Sequence, residues 1–155
     1  MDAETLGSAL QTATRQVLEE ATFVFSEPTS EPFGGSSWPG TLVRVRLGFS
    51  GPLSGHFMLV ASSELCQSLA ADMLGESDTE ALAGEVLGEI LNMATGIALT
   101  ELLGSDSSWA LRVPEAEQLS AAEFLAAPAP DVWVRLLTEE EQLIVGGVFI
   151  EQGAQ

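Results

Sequence analysis

The chain has 155 residues, 46% of them hydrophobic. A chain of this size fits one domain that can bury about 70% of its unfolded surface without a disulfide or a metal. Its 23 acidic residues outnumber five basic ones, all arginine, and the net charge is −18. Binding to nucleic acid or to an anionic membrane surface uses clustered Lys and Arg, so this charge argues against both classes of partner.

The first residues lack the basic region of a signal peptide, and Gly, Pro or charged residues interrupt the apolar stretches before about 18 residues. The single cysteine, Cys66, cannot form an internal disulfide and is interpreted as a buried thiol. We therefore expect a cytoplasmic protein that is neither secreted nor membrane-spanning.

The N-terminal half is predicted to contain a helix followed by a β-hairpin. Apolar residues at steps of three and four from Leu6 to Ala21 predict an amphipathic helix. Residues 26–40 carry three prolines and a Gly-Gly-Ser-Ser run, which predicts a mobile loop. Alternating apolar residues from Val43 to Phe49 predict a half-buried strand, and a turn at residues 51–55 leads to a second strand over residues 57–60.

Two helices and three strands are predicted beyond the hairpin. Gly75 ends a short helix, and a capping box of Ser77 and Glu80 opens a long one that runs to about Gly104. The predicted strands are Trp109–Val113, Val132–Leu137 and Leu143–Ile150. Consecutive strands joined by short turns favour an α+β fold, an antiparallel sheet with helices packed on it, formed by residues 1–155 as a single domain.

The chain lacks the residue types that several kinds of active site require. His56 is the only histidine and Cys66 the only cysteine, so a zinc site would depend on carboxylates and a Ser-His-Asp triad could use only His56. No lysine exists to complete a phosphate-binding P-loop. We interpret His56 as a structural residue and expect no metal site in the chain.

One face of the long helix carries the candidate site residues. At about 100° per residue, Glu85, Glu89, Asn92 and Gly96 fall within a stripe roughly 60° wide. The opposite, buried face is predicted to hold Val86, Ile90, Met93, Ala94 and Ile97. Asparagine and glycine are both unfavourable inside a helix, and Asn92 is the only asparagine in the chain, which indicates a role other than helix formation. The pattern alone is equally typical of a solvated stripe on an amphipathic helix.

The residues around this stripe resemble the signature helix of the CheC/CheX/FliY family of chemotaxis phosphatases, and are most similar to the CheX type. The similarity covers roughly residues 42–103. The family pattern is Asp or Ser, three residues, Glu, two residues, Asn, then about 22 residues to a proline. The matching positions here are Glu85, Glu89, Asn92 and Pro114, where Glu85 replaces Asp or Ser and the proline comes one residue early.

The resemblance implies a phosphatase whose substrate is the aspartyl phosphate of a CheY-like receiver domain. It implies that Glu89 pairs with the receiver's lysine and that Asn92 orients the attacking water, while the receiver supplies Mg²⁺ and the chain holds no cofactor of its own. Glu85 and Gly96 are auxiliary candidates, Gly96 because its bare backbone would let a partner approach closely. With no other asparagine, the chain has one such site.

Two other hypotheses stay open at this point: a receiver-binding scaffold of the same fold without catalysis, and an unrelated α+β interaction domain. Relatives of the CheX type commonly form dimers through sheet edges, and the apolar segment 143–150 would be hazardous as a bare edge. A homodimer is therefore expected.

Overall fold

The computed structural model describes residues 1–30, 32, 33, 38, 40–75, 80–104 and 108–151, with the side chains of residues 80 and 81 left aside. Within these residues the chain forms one antiparallel sheet with helices on both faces. In chain order the elements are α1 (Ala3–Thr22), β1 (Ser26–Pro28), β2 (Thr41–Ser50), β3 (Gly55–Ser62), α2 (Ser63–Leu74), α3 (Glu80–Leu103), β4 (Ala110–Leu111), β5 (Glu115–Ser120), α4 (Ala121–Ala126), β6 (Val132–Thr138) and β7 (Leu143–Ile150).

The strands follow the order β1-β6-β7-β3-β2-β4, and β5 also pairs directly with β2, from Thr41 to Arg46. Every pairing is antiparallel. The β2–β3 hairpin has the register Val45↔Leu59 and Leu47↔Phe57, so these apolar residues share one face of the sheet. The α+β fold and the hairpin predicted from the sequence are confirmed.

The main core lies between that face and the helices α1, α2 and α3. α1 begins at the N-cap Asp2, whose side chain accepts a hydrogen bond of 2.8 Å from the backbone N–H of Thr5. α2 ends at Gly75, which adopts a left-handed conformation with φ of 74°, as its predicted role as a helix terminator requires. The predicted capping residue Ser77 lies outside the described residues.

A second apolar cluster covers the other, outer face of the sheet. It joins Trp38, which is 2% exposed, to Phe124 of α4 and to Met58 and Val60 of β3, with Phe33 packed against them. The prediction of residues 26–40 as a loop without packed elements is therefore wrong at the positions that the structure describes. These residues contribute the strand β1 as well as the buried Trp38, because the aromatic side chains bury surface that the sheet would otherwise expose.

Two predictions about strands are also corrected. The apolar strand β7 lies inside the sheet between β6 and β3, so the argument that it forms a bare edge is wrong. The described edges are instead β1 on one side and β4 with β5 on the other, and β5 carries Glu115 and Glu117, charges that discourage further strand pairing. Of Trp109–Val113, only Ala110–Leu111 is a strand, and β5 and α4 were missed.

α3 is the central helix of the main core. By length and composition alone its span Leu82–Leu103 could cross a membrane, although Gly and Glu residues interrupt it. Half of its most apolar window is buried within the protein, where α3 contacts α1, α2 and the sheet. This apolar character is that of a core helix.

Candidate functional site

The stripe predicted on α3 lies on the accessible side of this helix. Val86, Ile90 and Ala94 are at most 1% exposed, as predicted, whereas Met93 and Ile97 are only partly buried. The residues of the stripe are more accessible to solvent. Glu85 and Glu89 are exposed, and Asn92 and Gly96 are partly exposed. α3 therefore presents two carboxylates and an amide to solvent on one side, while its other side is buried in the core.

Glu85, Glu89 and Asn92 line one groove of about 770 Å³. Asn92 also borders a second groove of about 960 Å³ between α3 and α1, and Gly96 lines only this second groove. The structure thus brings three of the predicted residues together and places Gly96 beside them. Apart from the backbone of α3 itself, no atom of the described residues lies within 4 Å of the point where a side chain on Gly96 would begin, so this stretch of helix surface is open.

The segment from Arg112 to Ala116 forms the opposite wall of the first groove. Pro114 is the one residue of this segment that the sequence pattern had pointed to. A Cβ at Gly88 would lie 3.3 Å from Pro114 Cβ, and a Cβ at Gly84 would lie 2.9 Å from Ala116 Cβ. Glycines four residues apart lie on the same side of a helix, so Gly84 and Gly88 allow this segment to approach α3 closely. The spacing of these two glycines was the sequence signal for this contact.

The rim of the grooves carries two exposed apolar side chains. Val113 is 81% exposed and borders the first groove, and Leu111 is 41% exposed and borders the second. Arg112, between them, is the arginine that lines the first groove beside Glu85 and Glu89. The rim therefore offers apolar contact on both sides of Asn92.

The polar groups of the stripe are available to a partner. Among the described residues, neither the Glu89 carboxylate nor the Asn92 amide has a hydrogen-bond or ion-pair partner. Phe33 and Trp38 of the 26–40 segment pack on the outer face of the sheet, away from the stripe on α3. The groove can thus accept a cation at Glu89 and a hydrogen-bonding group at Asn92.

Cys66 and His56, which were interpreted as structural residues, lie outside the two grooves. Cys66 is fully buried, and this burial raises the pKa of its thiol to about 12, which confirms the interpretation as an unreactive core thiol. His56 stacks on Phe149 on the outer face of the sheet, with ring centroids 4.3 Å apart. Burial and then the charge of Arg46 lower the pKa of His56 below its ordinary value. Within the part of the chain that the structure describes, no three His, Cys, Asp or Glu residues are grouped as metal ligands.

The comparison with known proteins agrees with this architecture. The family model described as "Chemotaxis phosphatase CheX" matches residues 43–124, which is more than half of the chain and includes α3 and Pro114. A search of curated protein sequences finds no significant match.

Solved structures with the same fold are distant in sequence. The chemotaxis protein CheX of Vibrio vulnificus is 16% identical with a TM-score of 0.75, and the alignment covers 94% of this chain and 96% of that one. A chain from the CheX–CheY–BeF3–Mg²⁺ complex of Borrelia burgdorferi is 14% identical with a TM-score of 0.68, with coverage of 94% and 97%. FliY of Thermotoga maritima is 20% identical with a TM-score of 0.62, with coverage of 96% and 87%. The chain belongs to the CheX family of chemotaxis phosphatases.

Proposed function

We propose that this chain hydrolyses the aspartyl phosphate of a CheY-like receiver domain, with Glu89 and Asn92 as its catalytic residues. The observation that carries the proposal is the groove in which both side chains are accessible and unpaired among the described residues. Family membership supports the activity, and the complex of the Borrelia burgdorferi relative, which contains CheY, supports the class of partner. A receiver substrate also implies a cytoplasmic location.

Glu89 serves docking. Its exposed carboxylate would pair with the lysine beside the receiver's phosphorylated aspartate, and this ion pair would set α3 across the phosphoryl group. The rim residues Leu111 and Val113 would add apolar contact on both sides of that pair. An ion pair with apolar contact around it is better shielded from water than an isolated surface pair, so it contributes more to binding.

Asn92 serves the chemical step. Its amide oxygen would accept a hydrogen bond from a water molecule and hold the water oxygen in line with the bond that breaks. The new bond joins water oxygen to phosphorus, the bond from phosphorus to the aspartate oxygen breaks, and inorganic phosphate and a free aspartate carboxylate remain. An amide does not titrate near neutral pH, so the position of the water would not depend on a protonation state. Mg²⁺ held by the receiver would stabilise the charge that develops on the phosphoryl oxygens.

Glu85 and Gly96 have auxiliary roles in this proposal. Glu85 occupies the position where the family pattern has Asp or Ser, at the end of the same groove, and it would add negative charge toward a cationic receiver surface. Gly96 offers open helix surface, so a receiver backbone segment could approach α3 there without a side chain in between.

Glu85 differs from the Asp or Ser of the family pattern, and this difference favours a second candidate function, that of a receiver-binding scaffold without catalysis. Timing phosphate loss from acetyl-phosphate-charged receivers of the same genome, with and without the protein, separates the two. The phosphatase accelerates the loss, and Asn92→Ala abolishes most of the acceleration. Binding of the charged receiver with no acceleration would establish the scaffold instead.

A further inference from the structure

The arginines of this acidic protein are concentrated on one side of the molecule. Arg44, Arg46 and Arg135 lie on the outer face of the sheet, and the side chain of Arg112 reaches over the same face at Gly48. Only Arg15, on α1, lies apart, where it donates a hydrogen bond to the carbonyl of Ser26. With a net charge of −18, every arginine has many carboxylates available, so those without an anionic partner need another explanation.

Two of the outer-face arginines have partners. Arg44 forms an ion pair with Glu117 on the neighbouring strand β5. Arg135 lies over the ring of Phe33, with its guanidinium carbon 5.1 Å from the ring centroid. Arg46 and Arg112 have no ion-pair partner among the described residues, and both line the same pocket of about 270 Å³. The two outer-face arginines that have neither an ion pair nor an aromatic contact within the described part of the chain thus lie together at one pocket.

This pocket is built around Gly48. On β3, His56 lies directly opposite Gly48, and on β2 Arg46 lies two residues before it, so all three share the outer face. A Cβ at Gly48 would lie 3.0 Å from Cδ of Arg112, because the Arg112 side chain occupies the space that glycine leaves. The backbone N–H of Arg112 donates to the carbonyl of Gly48 at 2.9 Å, which fixes this arrangement.

Two nitrogen atoms in the pocket are buried without a hydrogen-bond partner in the described part of the chain: Nε of Arg46 and Nε2 of His56. Leaving a buried donor unpaired costs about 1–3 kcal/mol. The stack on Phe149 holds the plane of the His56 ring in place, which limits the positions that its nitrogen can take. Both atoms therefore favour an oxygen-bearing ligand that enters the pocket.

Two exposed carboxylates, those of Glu115 and Glu151, also line the pocket. A ligand surrounded by buried donors and rim carboxylates must both accept and donate hydrogen bonds. Phosphate that carries a proton does both at neutral pH, whereas sulfate only accepts. Carboxylates at the rim therefore discriminate against a fully deprotonated anion.

We propose that Arg46, His56 and Arg112 form a binding site for a protonated phosphate group on the outer face of the sheet. Arg46 and His56 donate from the pocket floor, Arg112 closes over the anion from above Gly48, and Glu115 or Glu151 accepts the phosphate proton. The site is separate from the Glu89 groove, although Arg112 also borders that groove.

His56 provides the assay, because it is the only histidine and its imidazole resonances identify the site directly. Titration of the full chain with sodium phosphate at constant ionic strength is expected to shift these resonances in a saturable way. Sodium sulfate at the same ionic strength is expected to leave them nearly unchanged. Equal shifts with both salts, or none with phosphate, overturn the proposal. A parallel titration with methyl phosphate distinguishes a site for free phosphate from a site for a phosphate monoester. The compound that binds more tightly identifies which of the two the site takes.

Three variants complete the test. Arg112→Gln removes one charged donor from an exposed side chain and is expected to weaken phosphate binding about ten-fold or more. Gly48→Ala keeps every charge and displaces Arg112, so it is expected to weaken binding as well. Arg44→Gln removes a charge of the same face that is already paired with Glu117, and it is expected to leave affinity unchanged. Wild-type affinity in the first two variants, or an equal loss in all three, refutes the site.

Discussion

Replacing Asn92 by alanine separates the chemical step from folding and docking. The Asn92 amide has no hydrogen-bond partner among the described residues, so the variant leaves no buried group unpaired. Asparagine is less favourable than alanine inside a helix by about 0.5 kcal/mol, so Asn92→Ala is expected to be neutral or slightly stabilising. For a chain of this size that gain corresponds to a rise in the melting temperature of about 1–2 °C.

The catalytic rate is expected to fall by about 100-fold or more, the effect of removing one preorganised polar group from a reacting centre. A factor of 100 corresponds to about 2.7 kcal/mol of transition-state stabilisation, several times the expected change in stability. Single-turnover dephosphorylation of a charged receiver measures the rate, a binding titration measures affinity, and a thermal melt measures stability. Ser68→Ala, an exposed change on α2 that lines neither groove, is the matched control and is expected to keep the wild-type rate. Near-normal turnover by Asn92→Ala with intact receiver binding would refute the water-positioning role.

The remaining predictions concern docking, packing, the thiol and assembly. Glu89→Ala is expected to weaken receiver binding about ten-fold or more and to slow turnover as well, because an ion pair that docks the partner is lost. Gly96→Ala is expected to raise the free energy of unfolding by about 1 kcal/mol yet weaken receiver binding, since its methyl group enters open surface. Gly84→Ala, in contrast, is expected to be less stable than Gly96→Ala by about 1–3 kcal/mol in urea titrations, because its methyl group meets Ala116. Cys66, with a thiol pKa of about 12, is expected to react with a thiol reagent at pH 8 only after unfolding. The proposed homodimer is expected to show twice the chain mass in light scattering.

Each of these outcomes has a control. Glu140→Ala removes an exposed carboxylate between β6 and β7 that lines neither groove and is expected to leave receiver binding unchanged, so equal losses in both Glu variants would indicate a general charge effect. Equal stability of the two glycine variants would contradict the close approach at α3. Rapid labelling of the native thiol would contradict its burial. A monomer mass at every concentration would refute the dimer, for which the burial of β7 has already removed the structural argument.

The periodicity of apolar residues was sufficient to predict the helices and strands that bury one regular face. α1, α2, α3 and the strands β2, β3, β6 and β7 follow from it, because a core face repeats its apolar residues at the spacing of the helix or strand. β5 escaped prediction because it lies at the sheet edge with Leu119 as its one buried residue, so no alternation is visible. α4 did carry a sequence signal, the capping box of Ser120 with Glu123, but its six residues are too short for a helical period.

The residue types and spacing of the candidate site could be read from the amino-acid sequence alone. Spacing along one helix is local, so Glu85, Glu89, Asn92 and Gly96 share a stripe whatever the rest of the chain does. Which sheet edge is exposed, which face Trp38 covers and which segment closes the groove depend on contacts between residues far apart in the chain. These features emerge with the folded chain, because the close approach at Gly84 and the position of Arg46 and Arg112 around Gly48 come from strand pairing and packing that no local pattern encodes.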